Sequence, residues 1–210
     1  MSNTNSLQKG GATVGESCLQ LIARIKAKAF TALVSRMFAA CGKGVVICPP
    51  FRFANLRYVC LEDGVMINRE CWIHALRSND EPATPKVIIG AQSSVGMGAT
   101  ISAVRRIVLG EHVLLARNVY ISDHGHAFED INVPIMLQGI RGVGEVTIGD
   151  YTWIGQNACI LPGVKIGRHC VIGANSVVTR DLPDYCVAAG LPARIIKQYN
   201  PKNQQWEKVT

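Results

Sequence analysis

From residue 148 the chain divides without adjustment into blocks of six: IGDYTW, IGQNAC, ILPGVK, IGRHCV, IGANSV and VTRDLP. Each block opens on an aliphatic residue (Ile148, Ile154, Ile160, Ile166, Ile172, Val178), and glycine follows it in four of the six. A period of six is neither the 3.6 of a helix nor the 2.0 of a strand, so it describes a short strand and a turn repeated along a solenoid. The opening residue and the fifth of each block (Thr152, Ala158, Val164, Cys170, Ser176, Leu182) are expected to point inward, the fifth being mostly small. Glycine in second place suits a corner conformation. Three blocks close one triangular coil of about 18 residues, and each coil buries the core of the next.

The same period runs upstream with interruptions. Leu61, Ile67 and Ile73 lead one series, and Ile89, Val95, Ile101 and Ile107 lead a second. Leu109, Leu115 and Ile121 lead a third, displaced by two residues. Ile148 follows Ile121 by 27 positions, which is not a multiple of six, so an excursion leaves the solenoid there. The expected architecture is an all-β solenoid of parallel coils over residues 46–190, with a loop protruding at about 125–147. Residues 1–45 form an N-terminal tail and helix, and 191–210 a C-terminal tail.

In the N-terminal part, Cys18, Ile22, Ile25, Ala29, Leu33 and Met37 recur at three- and four-residue spacing, Thr13 and Glu16 form a capping box, and Gly42 is a stop signal. This reads as an amphipathic helix. Arg24, Lys26, Lys28 and Arg36 would suit a membrane surface. The apolar side, however, holds several alanines and few bulky anchors, so the helix is expected to cover the end or side of the solenoid. Membrane contact is expected to be at most peripheral.

Hydrophobic residues make up 48% of the chain and charged residues 18%, as in a globular protein, and no run approaches the roughly 18 apolar residues of a membrane span. The polar start, MSNTNSLQKGG, lacks the pattern of a secretory signal, and a cytoplasmic location is expected. Eight cysteines are scattered without a CxxC pair, so they are expected to be small core residues, neither disulfides nor zinc ligands. The charge of +7 comes without a run of Lys/Arg and with only 6% aromatics. A polyanionic small ligand accounts for it better than nucleic acid does.

Chemistry concentrates in ISDHGHAFED, residues 121–130, where Asp123, His124 and His126 precede Glu129 and Asp130. An imidazole titrating near neutrality can take a proton from an attacking hydroxyl, a role worth about 10²–10⁴-fold in rate. From the residues alone an acid/base centre, half a metal site and a polar loop all stand open.

Three stretches together resemble the hexapeptide-repeat acyltransferases: the repeat itself, WIGQNACILPGVKIGRHCVIGANSVVTRDLP at 153–183, and AAGLPARIIK at 188–197. DHGHAFED, followed by PI and QG, is most similar to the branch that O-acetylates sugars of lipopolysaccharide, capsule and exopolysaccharide. The resemblance implies a left-handed parallel β-helix, a homotrimer, and acetyl-CoA as acyl donor to a saccharide acceptor. It puts the family's catalytic histidine on His126; beside it, His124 could hold the acceptor hydroxyl, help position His126 or be the base itself, and Asp123 could orient an imidazole. It puts Trp153 on the flank of the coenzyme A groove, Gln156 and Ala174 in contact with the pantetheine arm, and Thr179, Arg180, Arg194 and Lys197 near the nucleotide end.

The same fold family includes zinc-dependent carbonic anhydrases, but His74, His112 and His169 do not reproduce their paired-histidine spacing, so no metal is expected. N-acylation of an amino sugar and a non-catalytic scaffold are the competing functions. A scaffold would need the hexads but neither the HGH segment nor the coenzyme A stretch.

Overall fold

The computed structural model describes residues 13–76 and 85–209. Short strands wind into a three-sided prism whose coils pair in parallel, one on the next. Sheet 1 takes the strands Ala40–Cys41, Val59–Leu61, Val87–Ile89, Ile107–Leu109, Val146–Ile148 and Lys165–Ile166. Sheet 2 takes Val46–Ile47, Met66–Ile67, Ser94–Val95, Leu114–Leu115, Trp153–Ile154, Val171–Ile172 and Cys186–Gly190. Sheet 3 takes Arg52–Ala54, Trp72–Ala75, Thr100–Ala103, Tyr120–Ser122, Cys159–Ile160 and Val177–Val178.

The register turns the six-residue period into ladders. In sheet 1 Leu61, Ile89, Leu109, Ile148 and Ile166 are successive partners, all buried. Ile67, Val95, Leu115, Ile154 and Ile172 do the same in sheet 2, and Ile73, Ile101, Ile121, Ile160 and Val178 in sheet 3. Each such side chain contributes about 1.5–3 kcal/mol of apolar burial. The fifth-position residues Thr152, Ala158, Val164, Cys170, Ser176 and Leu182 are buried as expected. Their polar members are satisfied: Thr152 Oγ1 donates to the Gly167 carbonyl at 2.9 Å and accepts the Cys170 N–H at 3.0 Å.

At the corner between sheets 2 and 3, Asn118, Asn157 and Asn175 adopt left-handed φ values of 56°, 58° and 57°. Asparagine tolerates this conformation, and its amide can bond the next coil. Here Asn118 Nδ2 donates to Asn157 Oδ1 at 3.2 Å, and Asn157 Nδ2 to Asn175 Oδ1 at 2.9 Å.

The structure moves two expected boundaries. The first coil begins at Ala40, ahead of residue 46. Residues beyond 191 are not a tail: Ala193–Asn200 pairs antiparallel with Cys186–Gly190, and Gln205–Lys208 pairs antiparallel with Ala193–Asn200, extending sheet 2. The excursion leaves after Ser122 and rejoins sheet 1 at Val146, with Gly125–His126 and Ile140–Arg141 forming a small antiparallel ribbon inside it.

The N-terminal helix spans Val14–Val34 and opens with the expected capping box of Thr13 and Glu16. It packs on the first coil, where the Thr31 hydroxyl accepts the Ile47 N–H at 2.8 Å. The stripe read from its spacing is not the side that packs. Ala27, Thr31, Val34 and, just beyond, Phe38 are buried, whereas Cys18, Ile22, Ile25, Ala29, Leu33 and Met37 are exposed. A small residue and a hydroxyl let the helix approach an edge strand closely, and that close approach decides the docked side. Among the described residues no helix is long and apolar enough to cross a membrane.

Candidate active site

The two-residue displacement between Ile101 and Leu109 is a widened turn, and it wraps one carboxylate. Asp123 is fully buried at the end of strand Tyr120–Ser122. Its Oδ1 accepts the Val104 N–H at 2.8 Å, and its Oδ2 accepts those of Arg105 and Arg106, each at 2.7 Å. The Asp123 carbonyl accepts the Gly144 N–H at 2.8 Å, which pins the returning end of the excursion to its departing end.

His124 Nδ1 lies 2.9 Å from Asp123 Oδ1 and 3.3 Å from Ser122 Oγ. The Ser122 hydroxyl donates to the His124 carbonyl at 2.8 Å, so ring and backbone are both fixed. An imidazole whose Nδ1 proton is held by a carboxylate keeps Nε2 free to accept a proton. The ring is nearly covered, with 10% of its side chain exposed. His126, by contrast, stands exposed on the ribbon opposite Ile140, and its ring makes no hydrogen bond among the described residues. The ribbon is braced by an Arg141–Glu129 ion pair.

The structure adds a residue that spacing did not assign to this centre. His74 is in register with Ser102, and Ser102 with Ser122, so all three form one row across sheet 3. Its ring stacks on Trp72 at 5.4 Å and 11°. Burial, and secondarily the charge of His124, hold the His74 imidazole below the usual histidine range. His74 and Ser122 lie 48 positions apart in the chain. Nothing short of the pairing register would have joined them.

His112 and His169 have a structural place: they stack with Tyr151 and Tyr185 along the corner between sheets 1 and 2, at centroid distances of 5.5, 6.3 and 5.8 Å. A cleft of about 550 Å³ beside this corner, lined by His169, Tyr185, Tyr199 and Trp206, holds none of the expected site residues.

The residues expected to hold coenzyme A fall on two edges of the prism. Trp153, partly exposed on sheet 2, lines a groove of about 380 Å³ with Gln156, Leu114 and Arg117. Gln156 and Ala174 sit one coil apart at the corner between sheets 2 and 3. The glycine before Ala174, Gly173, packs so tightly on Ala189 that a Cβ there would meet it at 2.8 Å. Ala189 is the register partner of Arg194, which brings Arg194 to the same edge. Lys197 lies one strand turn further, beside Lys208 on the outer strand. Thr179 and Arg180 are exposed on the other edge, between sheets 3 and 1, which is also the edge that emits the Asp123 excursion. The outer face of sheet 3, carrying Trp72, Thr100 and Tyr120 in one row, lies between these two edges.

The chain is thus a parallel solenoid with a histidine-bearing excursion and basic residues on its closing coils. Residues 145–180 match the bacterial transferase hexapeptide (six repeats) family. The chain is 37% identical over 116 residues to WbbJ of Escherichia coli strain K12, named for O-acetyl transfer in lipopolysaccharide biosynthesis; the match covers 52% of this chain and 59% of WbbJ. It is 36% identical over 118 residues to the galactoside O-acetyltransferase of the same organism, covering 56% of this chain and 57% of that one. The chain thus spans little more than half the length of these relatives. A solved structure of AntD, an N-acyltransferase from Bacillus cereus in complex with dTDP and 3-hydroxybutyryl-CoA, superposes with a TM-score of 0.69 at 22% identity, over 83% of this chain and 90% of that one, and so has the same fold. By its repeat and these relatives, the chain is similar to the hexapeptide-repeat acyltransferases.

Proposed function

We propose that the protein transfers an acetyl group from acetyl-CoA to a hydroxyl of a saccharide, a precursor of a lipopolysaccharide or other surface polysaccharide. The observation that carries this reading is the buried Asp123 carboxylate, which roots the histidine-bearing excursion and fixes an imidazole at 2.9 Å on the edge that also bears Thr179 and Arg180. Acetyl-CoA is already activated, so direct transfer in a ternary complex needs no nucleophile on the enzyme. A base removes the hydroxyl proton as the oxygen attacks the thioester carbonyl carbon, the C–S bond breaks once the C–O bond has formed, and the protonated base gives its proton to the departing sulfur, so that coenzyme A leaves as the thiol.

In this reading His126 is the base: it is accessible to an acceptor, and it occupies the Gly-His position of the family resemblance. The Asp123–His124 pair positions it by anchoring the ribbon. The 2.9 Å contact favours one other assignment, His124 itself as base with Asp123 as its orienting carboxylate. Trp72 and Thr100, which line an open groove of about 440 Å³ with Arg52 and Glu70, fit the acceptor side, since aromatic faces suit sugar rings.

The reading includes a left-handed winding and a trimer. The sheet 3 face is open, and the excursion exposes Phe128, Ile131, Met136 and Leu137. A neighbouring copy in a closed ring of three would cover these side chains and supply the second wall of the groove. The N-acyltransferase AntD, which shares the fold, makes amino-sugar N-acylation the alternative acceptor chemistry. Mass spectrometry of products from acetyl-CoA with a panel of saccharides and amino sugars tests the proposal. O-acetylated saccharide supports it, amide products alone would move the acceptor class, and no acetylated product from any of them would overturn it.

A further inference from the structure

The N-terminal helix has two apolar sides, and the solenoid uses one. At about 100° per residue, Cys18, Leu21, Ile22, Ile25, Ala29 and Leu33 fall opposite the docked side of Ala27, Thr31 and Val34. Leu21, Ile22, Ile25 and Leu33 are 57%, 43%, 58% and 76% exposed. This second side is wide enough to bury in its own right. It is bordered by cations, with Arg24 and Lys28 along one margin, Lys26 along the other and Arg36 on the turn that follows. Among the described residues none of the four meets a carboxylate. The one acid of the helix, Glu16, is occupied at its N-terminus, where its Oε2 accepts the Thr13 N–H at 2.7 Å.

An apolar arc between two cationic margins is what an interfacial helix presents to lipid: the arc enters the headgroup boundary while Lys and Arg stems reach back to the phosphates. A second copy of this chain is a poor occupant. Pairing two such faces would bring like cations together, and the chain as a whole carries +7. We propose that this face docks the protein peripherally on an anionic lipid surface, with the first coil of the prism turned toward the membrane. The inference does not depend on the transferase reading.

The test uses the full chain with vesicles of phosphatidylcholine alone or mixed with phosphatidylglycerol. The protein should co-sediment with the anionic vesicles, far less with the neutral ones, and the binding should weaken as salt is raised. Cys18, exposed within the arc, is a native reporter, and anionic vesicles should slow its alkylation by a maleimide, read at the Cys18 peptide by mass spectrometry. Replacing Ile22 and Ile25 together with Asp should lower vesicle binding about tenfold or more. Both side chains are exposed, so thermal unfolding without vesicles and the mass in light scattering should not change. Wild-type protein that stays in the supernatant with anionic vesicles overturns the proposal. So does a double variant that binds like wild type, or one whose oligomeric mass falls, since the face would then be a contact between chains.

Discussion

Asp123 and His124 are adjacent in sequence and also joined side chain to side chain, Oδ1 to Nδ1, at 2.9 Å. Because the same carboxylate accepts three backbone N–H groups from residues 104–106, its loss should be felt in stability and in catalysis together. Asp123→Ala leaves several buried donors unpaired at about 1–3 kcal/mol each. A drop in melting temperature of roughly 6 °C or more is expected by calorimetry, with a milder drop for Asp123→Asn, which keeps one acceptor oxygen. An unchanged melting temperature in Asp123→Ala would remove the carboxylate from this structural role.

The two histidines should separate in steady-state kinetics. His126→Ala is expected to lower turnover by about 10²-fold or more with acetyl-CoA affinity retained, and His124→Ala to cost less. The reverse order would make His124 the base, as its contact with Asp123 allows. A chelator should leave either rate unchanged.

Arg180 and Arg194 stand on different edges of the closing coils, yet both are expected to meet phosphates of one ligand lying across sheet 3. Replacing both with Ala should weaken acetyl-CoA binding in titration calorimetry, while unfolding of the free protein stays nearly unchanged, because both side chains are exposed. Unaltered affinity would sink the assignment.

How much of this could be read in advance depended on whether the determinant was local. The hexads at 148–183 show the inward ladder because each lead residue stacks on an equivalent one a fixed distance away. The separation of 27 positions between Ile121 and Ile148 exposed the excursion by simple division. The two-residue displacement before Leu109 was equally visible, but its purpose was not, since it exists to turn three N–H groups toward a side chain of the next coil. His74 joins the centre only through register. The docked side of the helix was misread because spacing ranks hydrophobicity, while contact with the first coil was won by Ala27 and the Thr31 hydroxyl.

His74 also sets a pH dependence. Its folded-state affinity for protons is reduced, chiefly by burial, so below the ordinary histidine range the unfolded chain binds a proton that the folded one resists. The stability this neutral ring contributes is present above that range and is lost as pH falls through it. His74→Gln should therefore flatten the decline in melting temperature between about pH 7.5 and pH 5.5, histidine's titration range. An equal decline in both proteins would assign the effect elsewhere.

If three copies complete the groove, light scattering at working concentration should give about three times the 22.7 kDa of one chain. An active protein of monomeric mass would contradict the shared-wall arrangement.

The coils touch only their immediate neighbours, so resistance to unfolding is not spread evenly along the prism. In such a stack the first openings occur at the ends, where a coil has one neighbour instead of two. Here sheet 2 is covered at both ends, at one by the helix bonded through Thr31 to Ile47 and at the other by the antiparallel strands after Ala193. These covers act as latches against fraying of sheet 2. The lifetime of the folded state, as distinct from its depth in free energy, is therefore governed by how long helix and hairpin stay seated, at positions remote from the histidines.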